Sequence, residues 1–425
     1  MTVSQQAGWF THDRFGLFVH FGLYSPLARH EWVMTREQTP PEEYEQHAPF
    51  FDPDRFDPRA IARAAKDAGM RYVVLTAKHH EGFALWDTAL SEYNATKVTG
   101  RDLVREFVDA VRAEGLRVGL YFSLIDWHHP DFTIDYHHPL RNLPDARERN
   151  QHRDMARYRE FLHGQVGELL TGYGKLDYLF YDFTYSEPRD GWEGKGPQDW
   201  DAERLLAMTR ELQPGIVVND RLGIPADLVT PEQYQPDAPM RRDGRDVVWE
   251  ACQTLNGSWG YDRDNLDFKS PDLLVRMLVD TVAKDGNMLL NVGPDGRGAL
   301  TPRDQESLAA IGRWMELHGR SVVGAGAAGL PAPPGTVLTR RGDRLYLHLL
   351  VWPFGHLHLP ELAHRVRFAR FLHDGSEVRR SQIDPGQQAW NTVPGGQPPG
   401  TLTLHLPTAR PAVEVPVIEL VLTDE

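Results

Sequence analysis

The sequence predicts a (β/α)8-type barrel followed by a small antiparallel β-sandwich, and three observations carry that reading. Strand-like apolar runs alternate with helix-period segments through roughly the first three quarters of the chain, the rhythm of a parallel sheet. No glycine fingerprint of a dinucleotide site follows the first run, where Gly22 stands almost alone, so a barrel fits better than a doubly wound sheet. Beyond Gly319 the texture changes to a proline- and small-residue bridge, VVGAGAAGLPAPPGT, and then to short β-type runs without an intervening amphipathic helix. The expected division is 1–325 for the barrel and 326–425 for the sandwich.

The candidate strands are taken in order. Residues 15–20 form the first. Residues 71–77 form the second, whose YVVL core is too continuous for a strand wet on one face and reads as covered on both. Residues 117–123, 176–182, 216–219, 247–250 and 288–292 complete the series. Helices lie between them. Asp57-Pro58 starts one that stops at Gly69, and Asp102 starts another that stops at Gly115, the bracketing expected of caps. Ser270-Pro271 and Thr301-Pro302 open two more with an N-cap hydroxyl and proline at the first helical position. In the tail, runs at 345–352, 366–372, 402–406 and 413–422 supply the sandwich.

Composition narrows the partners. The 425 residues include 46 Lys+Arg and 60 Asp+Glu, a net charge of −14. That balance argues against a nucleic-acid or anionic-membrane partner and favours a neutral or cationic ligand. One cysteine, Cys252, excludes an intrachain disulfide framework and a cysteine-based zinc site, and points to a reducing compartment. The amino-terminal stretch MTVSQQAGWFTHDRFG lacks the basic and apolar regions of a secretion signal, and no apolar run approaches the ~18 residues of a membrane span. The expectation is a soluble, cytoplasmic chain.

In such a barrel the chemistry sits at the carboxyl ends of the strands. Those ends are polar here. The first ends in His20 and leads to Glu31-Trp32; the second, in the string RYVVLTAKHHEGF, ends in His79-His80; the third carries Tyr121 and leads to Asp126-Trp127-His128-His129. The fourth, LDYLFYDF, holds Phe180 and places Asp182 at its tip, and the fifth runs into Asn219-Asp220-Arg221. Glu232, Glu250 and Trp259 follow. Any one of these has a structural reading, as a cap, an ion pair or rim packing. Together, aromatics beside carboxylates and histidines suit a sugar, whose C–H faces stack on rings while its hydroxyls meet charged or imidazole groups.

Three chemistries fit such ends. A metal-dependent hydrolase barrel would use His20, His79 and His80, but adjacent strand residues point to opposite faces and no His-x-His pair follows the first strand. A non-catalytic sugar-binding barrel would keep the aromatics and histidines without needing a carboxylate pair. Glycoside hydrolysis would require two carboxylates, one of them a nucleophile or base and the other an acid.

The strings FGLFVHFGLYS, EWV, YVVLTAKHHEGFALWDT, GLYFSLIDW, LDYLFYD, VVNDR, WEACQTLNGSWGY and DGNMLLNVGPDGRG resemble, block by block and in order, the retaining α-L-fucosidases of glycoside hydrolase family 29. The resemblance spans roughly residues 9–324. It implies release of terminal α-L-fucose from fucosylated glycans or glycosides by double displacement, without a cofactor or metal. It makes Asp182 the nucleophile and sets His20, Glu31, Trp32, His79, His80, Tyr121 and Arg221 around the fucose hydroxyls or the nucleophile. Phe180 and Trp259 fall where the family shapes the subsite for the sugar's methyl group. Family members supply the acid/base from differing places; Glu232 fits one and Glu250 another, with Glu232 favoured. The chain departs from the family's wording where Phe21, Phe180 and Leu222 stand at positions often held by Trp, each keeping apolar bulk.

Overall fold

The computed structural model describes residues 8–423. The first seven residues, which open the stretch without a secretion pattern, and the last two lie outside the described residues. Seven parallel strands make one sheet: β1 Phe15–Val19, β2 Tyr72–Lys78, β3 Arg117–Ser123, β4 Tyr178–Asp182, β5 Val217–Val218, and, after a short hairpin of β6 Arg241–Arg242 and β7 Arg245–Asp246, β8 Glu250–Thr254 and β9 Asn287–Val292. Their order is β5-β4-β3-β2-β1-β9-β8.

The two edges of that sheet are joined by a stave too irregular to count as a strand. Residues 228–232 make parallel bridges to both sides, Asn219 with Leu228, Val229 with Trp249, and Glu232 with Cys252. The amide of Glu250 donates to Val229 O at 2.9 Å and that of Cys252 to Pro231 O at 3.0 Å. Eight staves in chain order therefore close the barrel, and Glu232 stands at the carboxyl end of the sixth.

Strand alternation sorts the interior into layers. On β4, Tyr178, Phe180 and Asp182 point inward from bottom to top. Phe10, on the helix Gly8–Asp13, plugs the floor against the rings of Tyr72 and Tyr178 at 5.5 and 5.6 Å. Phe18, Val74, Phe180, Val217, Cys252 and Leu289 fill the middle. Gly16 has no room for a side chain, because a Cβ there would meet the Tyr72 ring at 2.3 Å. The polar top is the mouth.

The helices pack outside as their caps predict. Asp57 accepts from the amides of Arg59 and Ala60 ahead of Pro58–Asp67, and Asp102 from that of Arg105 ahead of Leu103–Ala113. Ser270 opens Pro271–Ala283, and Thr301 with Asp304 forms a capping box on Pro302–His318.

One strand is out of phase with the sequence reading. Residues 247–249 precede β8, which begins at Glu250 instead of ending there. The apolar VVW run serves the approach to the barrel, with Trp249 buried against Gly286 and its indole nitrogen donating to Lys284 O at 3.1 Å.

After the last barrel helix the chain turns antiparallel. The strands β10 Gly326–Ala327, β11 Thr336–Arg341, β12 Arg344–Leu349, β13 His356–Leu359, β14 Val366–Phe371, β15 Arg379–Ser381, β16 Leu402–His405 and β17 Val417–Leu422 form sheets ordered β10-β11-β12-β17-β14 and β13-β16-β15. Leu347, Leu357, Leu404 and Leu420 belong to their shared core. This sandwich is tied to the barrel by Trp314, whose indole donates to Val415 O at 3.0 Å.

Candidate active site

A pocket of about 430 Å³ opens at the carboxyl ends of the staves, lined in part by His20, Trp32, His79, His80, Asp182 and Glu232. Tyr121, Phe180 and Trp259 also face it. Asp182, the last residue of β4, is held from two sides: the Tyr121 hydroxyl donates to Oδ2 at 2.8 Å, and Arg221 Nη1 donates to Oδ1 at 3.1 Å. The other terminal nitrogen of Arg221 donates to Glu232 Oε2 at 2.8 Å, and its Nε to Thr230 Oγ1 at 2.8 Å. One guanidinium thus spans two carboxylates of differing exposure, 14% for the Asp182 side chain and 41% for that of Glu232. Burial pushes the Asp182 carboxyl up to about 6, further raised by Glu232 and opposed by Arg221 and Tyr121.

The histidines divide by what holds their inner nitrogen. His20 Nδ1 lies 2.6 Å from Asn291 Oδ1, while Asn291 Nδ2 donates to Trp259 O at 2.7 Å. The amide therefore offers His20 an acceptor, and Nδ1 carries the proton. Burial lowers His20 to about 4, so the neutral ring leaves Nε2 as an acceptor. His80 Nδ1 lies 2.7 Å from Ser123 Oγ, whose own proton goes to Ile125 O at 2.6 Å. The same logic leaves His80 Nε2 without a proton.

His79 and His80 both line the pocket, although adjacent strand residues should diverge. The chain bends to allow it: the β2–β3 register shifts between Thr76 and Lys78, β2 ends at Lys78, and the amide of Gly82 turns back to His79 O at 3.0 Å. The His79 ring stacks on Tyr121 at 5.4 Å with an interplanar angle of 9°.

Other expected residues stand further back. Glu31 is buried and accepts from the Gly260 amide at 2.7 Å, fastening the loop that carries Trp259. Asp126 pairs with the buried Lys78 at 2.9 Å, and Trp127 packs behind Trp32 at 5.4 Å.

Glu250 is a correction. At the amino end of β8, its carboxyl accepts from Tyr72 at 2.5 Å and from Tyr178 at 2.8 Å in the floor of the barrel. Reading 247–250 as the strand put it at the wrong end; the phase of β8 removes it from the pocket.

Several contributors carry no sequence signal. Phe183, directly after Asp182, takes a left-handed φ of 87° and sets its ring against Trp32 and His80 at 5.1 and 4.8 Å. Cys252 and Phe18 form part of the pocket floor. Among the described residues no group of three His, Cys, Asp or Glu side chains is arranged to hold a metal ion, and no helix is long and apolar enough to cross a membrane.

A closed barrel whose mouth pairs two carboxylates across one arginine, beneath aromatic rings and imidazoles, places the chain among the glycoside hydrolases. A family model for alpha-L-fucosidase matches residues 2–320. A tissue alpha-L-fucosidase of Rattus norvegicus is 31% identical, over 93% of this chain and 87% of the relative. Alpha-L-fucosidase isoenzyme 1 from Paenibacillus thiaminolyticus superposes with a TM-score of 0.91 at 44% identity, covering 99% of this chain and all of the other. A family 29 alpha-L-fucosidase from Bacteroides thetaiotaomicron, solved as a trapped covalent intermediate with 2-fluoro-fucosyl fluoride, matches at a TM-score of 0.83 and 26% identity, over 100% and 97% of the two chains. The chain belongs to the alpha-L-fucosidase family, glycoside hydrolase family 29, and is a retaining glycosidase.

Proposed function

We propose that this chain releases terminal α-L-fucose from fucosylated glycans or glycosides, with Asp182 as nucleophile and Glu232 as acid/base. The single observation that carries the assignment is the guanidinium of Arg221, shared between those two carboxylates at 3.1 and 2.8 Å. A barrel that merely bound the sugar would have no need of a carboxylate pair across the bond to be cleaved.

In the first step an Asp182 oxygen bonds the anomeric carbon as the glycosidic C–O bond breaks, and the leaving oxygen takes a proton from Glu232. In the second, water gives a proton to Glu232 and its oxygen bonds the anomeric carbon, expelling Asp182. Two inversions give net retention. His20 and His80 accept hydrogen bonds from sugar hydroxyls through Nε2, and Phe180 and Trp259 cover the apolar methyl. Linkage preference is left to the rim around Phe183 and Trp32.

The test is hydrolysis of an aryl α-L-fucoside beside the matching α-L-galactoside and a xyloside. The fucoside should be preferred, because the galactoside carries a hydroxyl into the apolar corner. Inactivity on all three sinks the proposal. The same reading keeps the protein in the cytoplasm, supported by the free, buried thiol of Cys252; recovery in an exported fraction would overturn that.

A further inference from the structure

Behind the pocket, the turn after β2 buries a carboxyl group that the chemistry above does not use. Glu81 is fully buried, and its Oε2 lies 3.8 Å from His79 Nδ1. No side-chain donor lies within hydrogen-bond distance of either Glu81 oxygen, and His79 Nδ1 likewise has no partner among the described residues. The fold makes room for this carboxyl: a Cβ on Gly22 would come within 3.1 Å of Glu81 Oε1. His20 and His80 each place their inner nitrogen against an acceptor whose protons are spoken for. His79 alone faces an acid.

We propose that Glu81 is a positioning residue that holds His79 in the opposite tautomer, its carboxyl proton donated to Nδ1 so that His79 turns an Nε2–H donor toward the sugar. Resting on the reading of the pocket as a sugar site, this gives the substrate two imidazole acceptors and one donor. A hydroxyl that accepts from His79 is then discriminated from a group that cannot.

The surroundings favour a neutral pair. Around Glu81 stand Tyr24, Tyr44 and Tyr93, with Asp126 and Lys78 beyond. Lys78 is neutralised by its 2.9 Å contact with Asp126, so little net positive charge is left to hold a Glu81 anion. Burial pushes the Glu81 carboxyl up to about 8, offset in part by its own amide and that of Leu23. Burial and the neighbouring His80 and His20 hold His79 well below its ordinary range. One proton between them leaves the pair uncharged. Hydrogen bonds that serve a substrate are commonly long in the free enzyme and tighten in the complex, and the shared proton requires the 3.8 Å approach of Glu81 Oε2 to His79 Nδ1 to shorten in that way.

The sign of the pH effect follows. Above about pH 8 Glu81 loses the shared proton, His79 Nδ1–H donates to the carboxylate, and Nε2 becomes a third acceptor. The experiment measures kcat and KM from pH 6 to 9.5 for an aryl α-L-fucoside with a good leaving group, in the wild type and in Glu81→Gln. The wild-type KM should rise about tenfold through the alkaline range, the scale of one lost hydrogen bond, and Glu81→Gln should lack that rise because its amide donates at every pH. In parallel, 15N NMR of histidine-labelled wild-type protein at pH 6.5, with the His79 signal assigned by its loss in His79→Gln, should show the proton on Nε2. An alkaline KM rise unchanged in Glu81→Gln, or an Nδ1–H tautomer at pH 6.5, overturns the proposal. If Glu81→Gln does not fold, the wild-type tautomer decides alone. Absence of fucosidase activity with an Nε2–H tautomer would instead count against the sugar-site reading.

Discussion

The guanidinium of Arg221 stands 3.1 Å from the carboxylate of Asp182, and this contact opposes the burial that would otherwise keep the acid protonated. Asp182 must be ionised to attack, and its carboxyl lies raised at about 6. Activity on a substrate with a good leaving group should therefore fall as pH drops through about 6. Tyr121→Phe removes the 2.8 Å hydrogen bond to Oδ2 that favours the anion, so the acid limb of kcat/KM should move to higher pH. A limb that stays in place would show that another group sets it.

Asp182→Asn keeps the shape of the side chain and removes the nucleophile. Turnover of an aryl α-L-fucoside should drop on the order of 10⁴-fold, the scale seen when a catalytic group is deleted. Circular dichroism and the unfolding midpoint should stay near wild type, since Arg221 keeps its 2.8 Å partner in Glu232. A variant with near-full activity would remove Asp182 from the mechanism.

Glu232→Ala should behave differently. Loss of a proton donor costs about 10²–10⁴-fold on a poor leaving group and much less on a good one. Azide, small enough to occupy the vacated space, should restore turnover and yield a fucosyl azide of inverted configuration relative to the enzyme-bound intermediate. Equal losses across leaving groups, with no azide product, would place the acid elsewhere.

Much of this was legible in the sequence where burial on both faces writes itself as an apolar run. β1 to β4 and β9 lie within a residue or two of their expected ends, so Asp182 could be placed at a strand tip. The sixth stave could not be seen: Thr230, Pro231 and Glu232 leave no apolar run among its five residues, and its pairing is reduced to isolated bridges, one to Asn219 beside β5 and two to Trp249 and Cys252 on the β8 side. The VVW run before β8 looked more like a strand than EACQT does, because side-chain apolarity marks burial and not backbone pairing. His79 and His80 reach one pocket through a register irregularity, and Phe183 enters it through a left-handed backbone, neither of which a residue type announces.

Glu250 offers a contrast that separates floor from mouth. Its carboxyl accepts from Tyr72 and Tyr178, and burial pushes it up to about 7 against those two hydrogen bonds. Because the folded carboxyl holds its proton more tightly than the unfolded one, this group's contribution to stability is fully present below about pH 4.5 and is lost as pH rises through about 7. Glu250→Gln keeps an acceptor for one tyrosine and cannot ionise. Its stability relative to wild type should improve steadily between pH 5 and pH 8, measured by urea unfolding at each pH, while kcat changes little. Glu250→Leu leaves both phenols without an acceptor and should cost about 1–3 kcal/mol per unsatisfied hydroxyl. A large kcat loss in Glu250→Gln, rescued by azide, would return Glu250 to the chemistry and contradict its place at the bottom of the barrel.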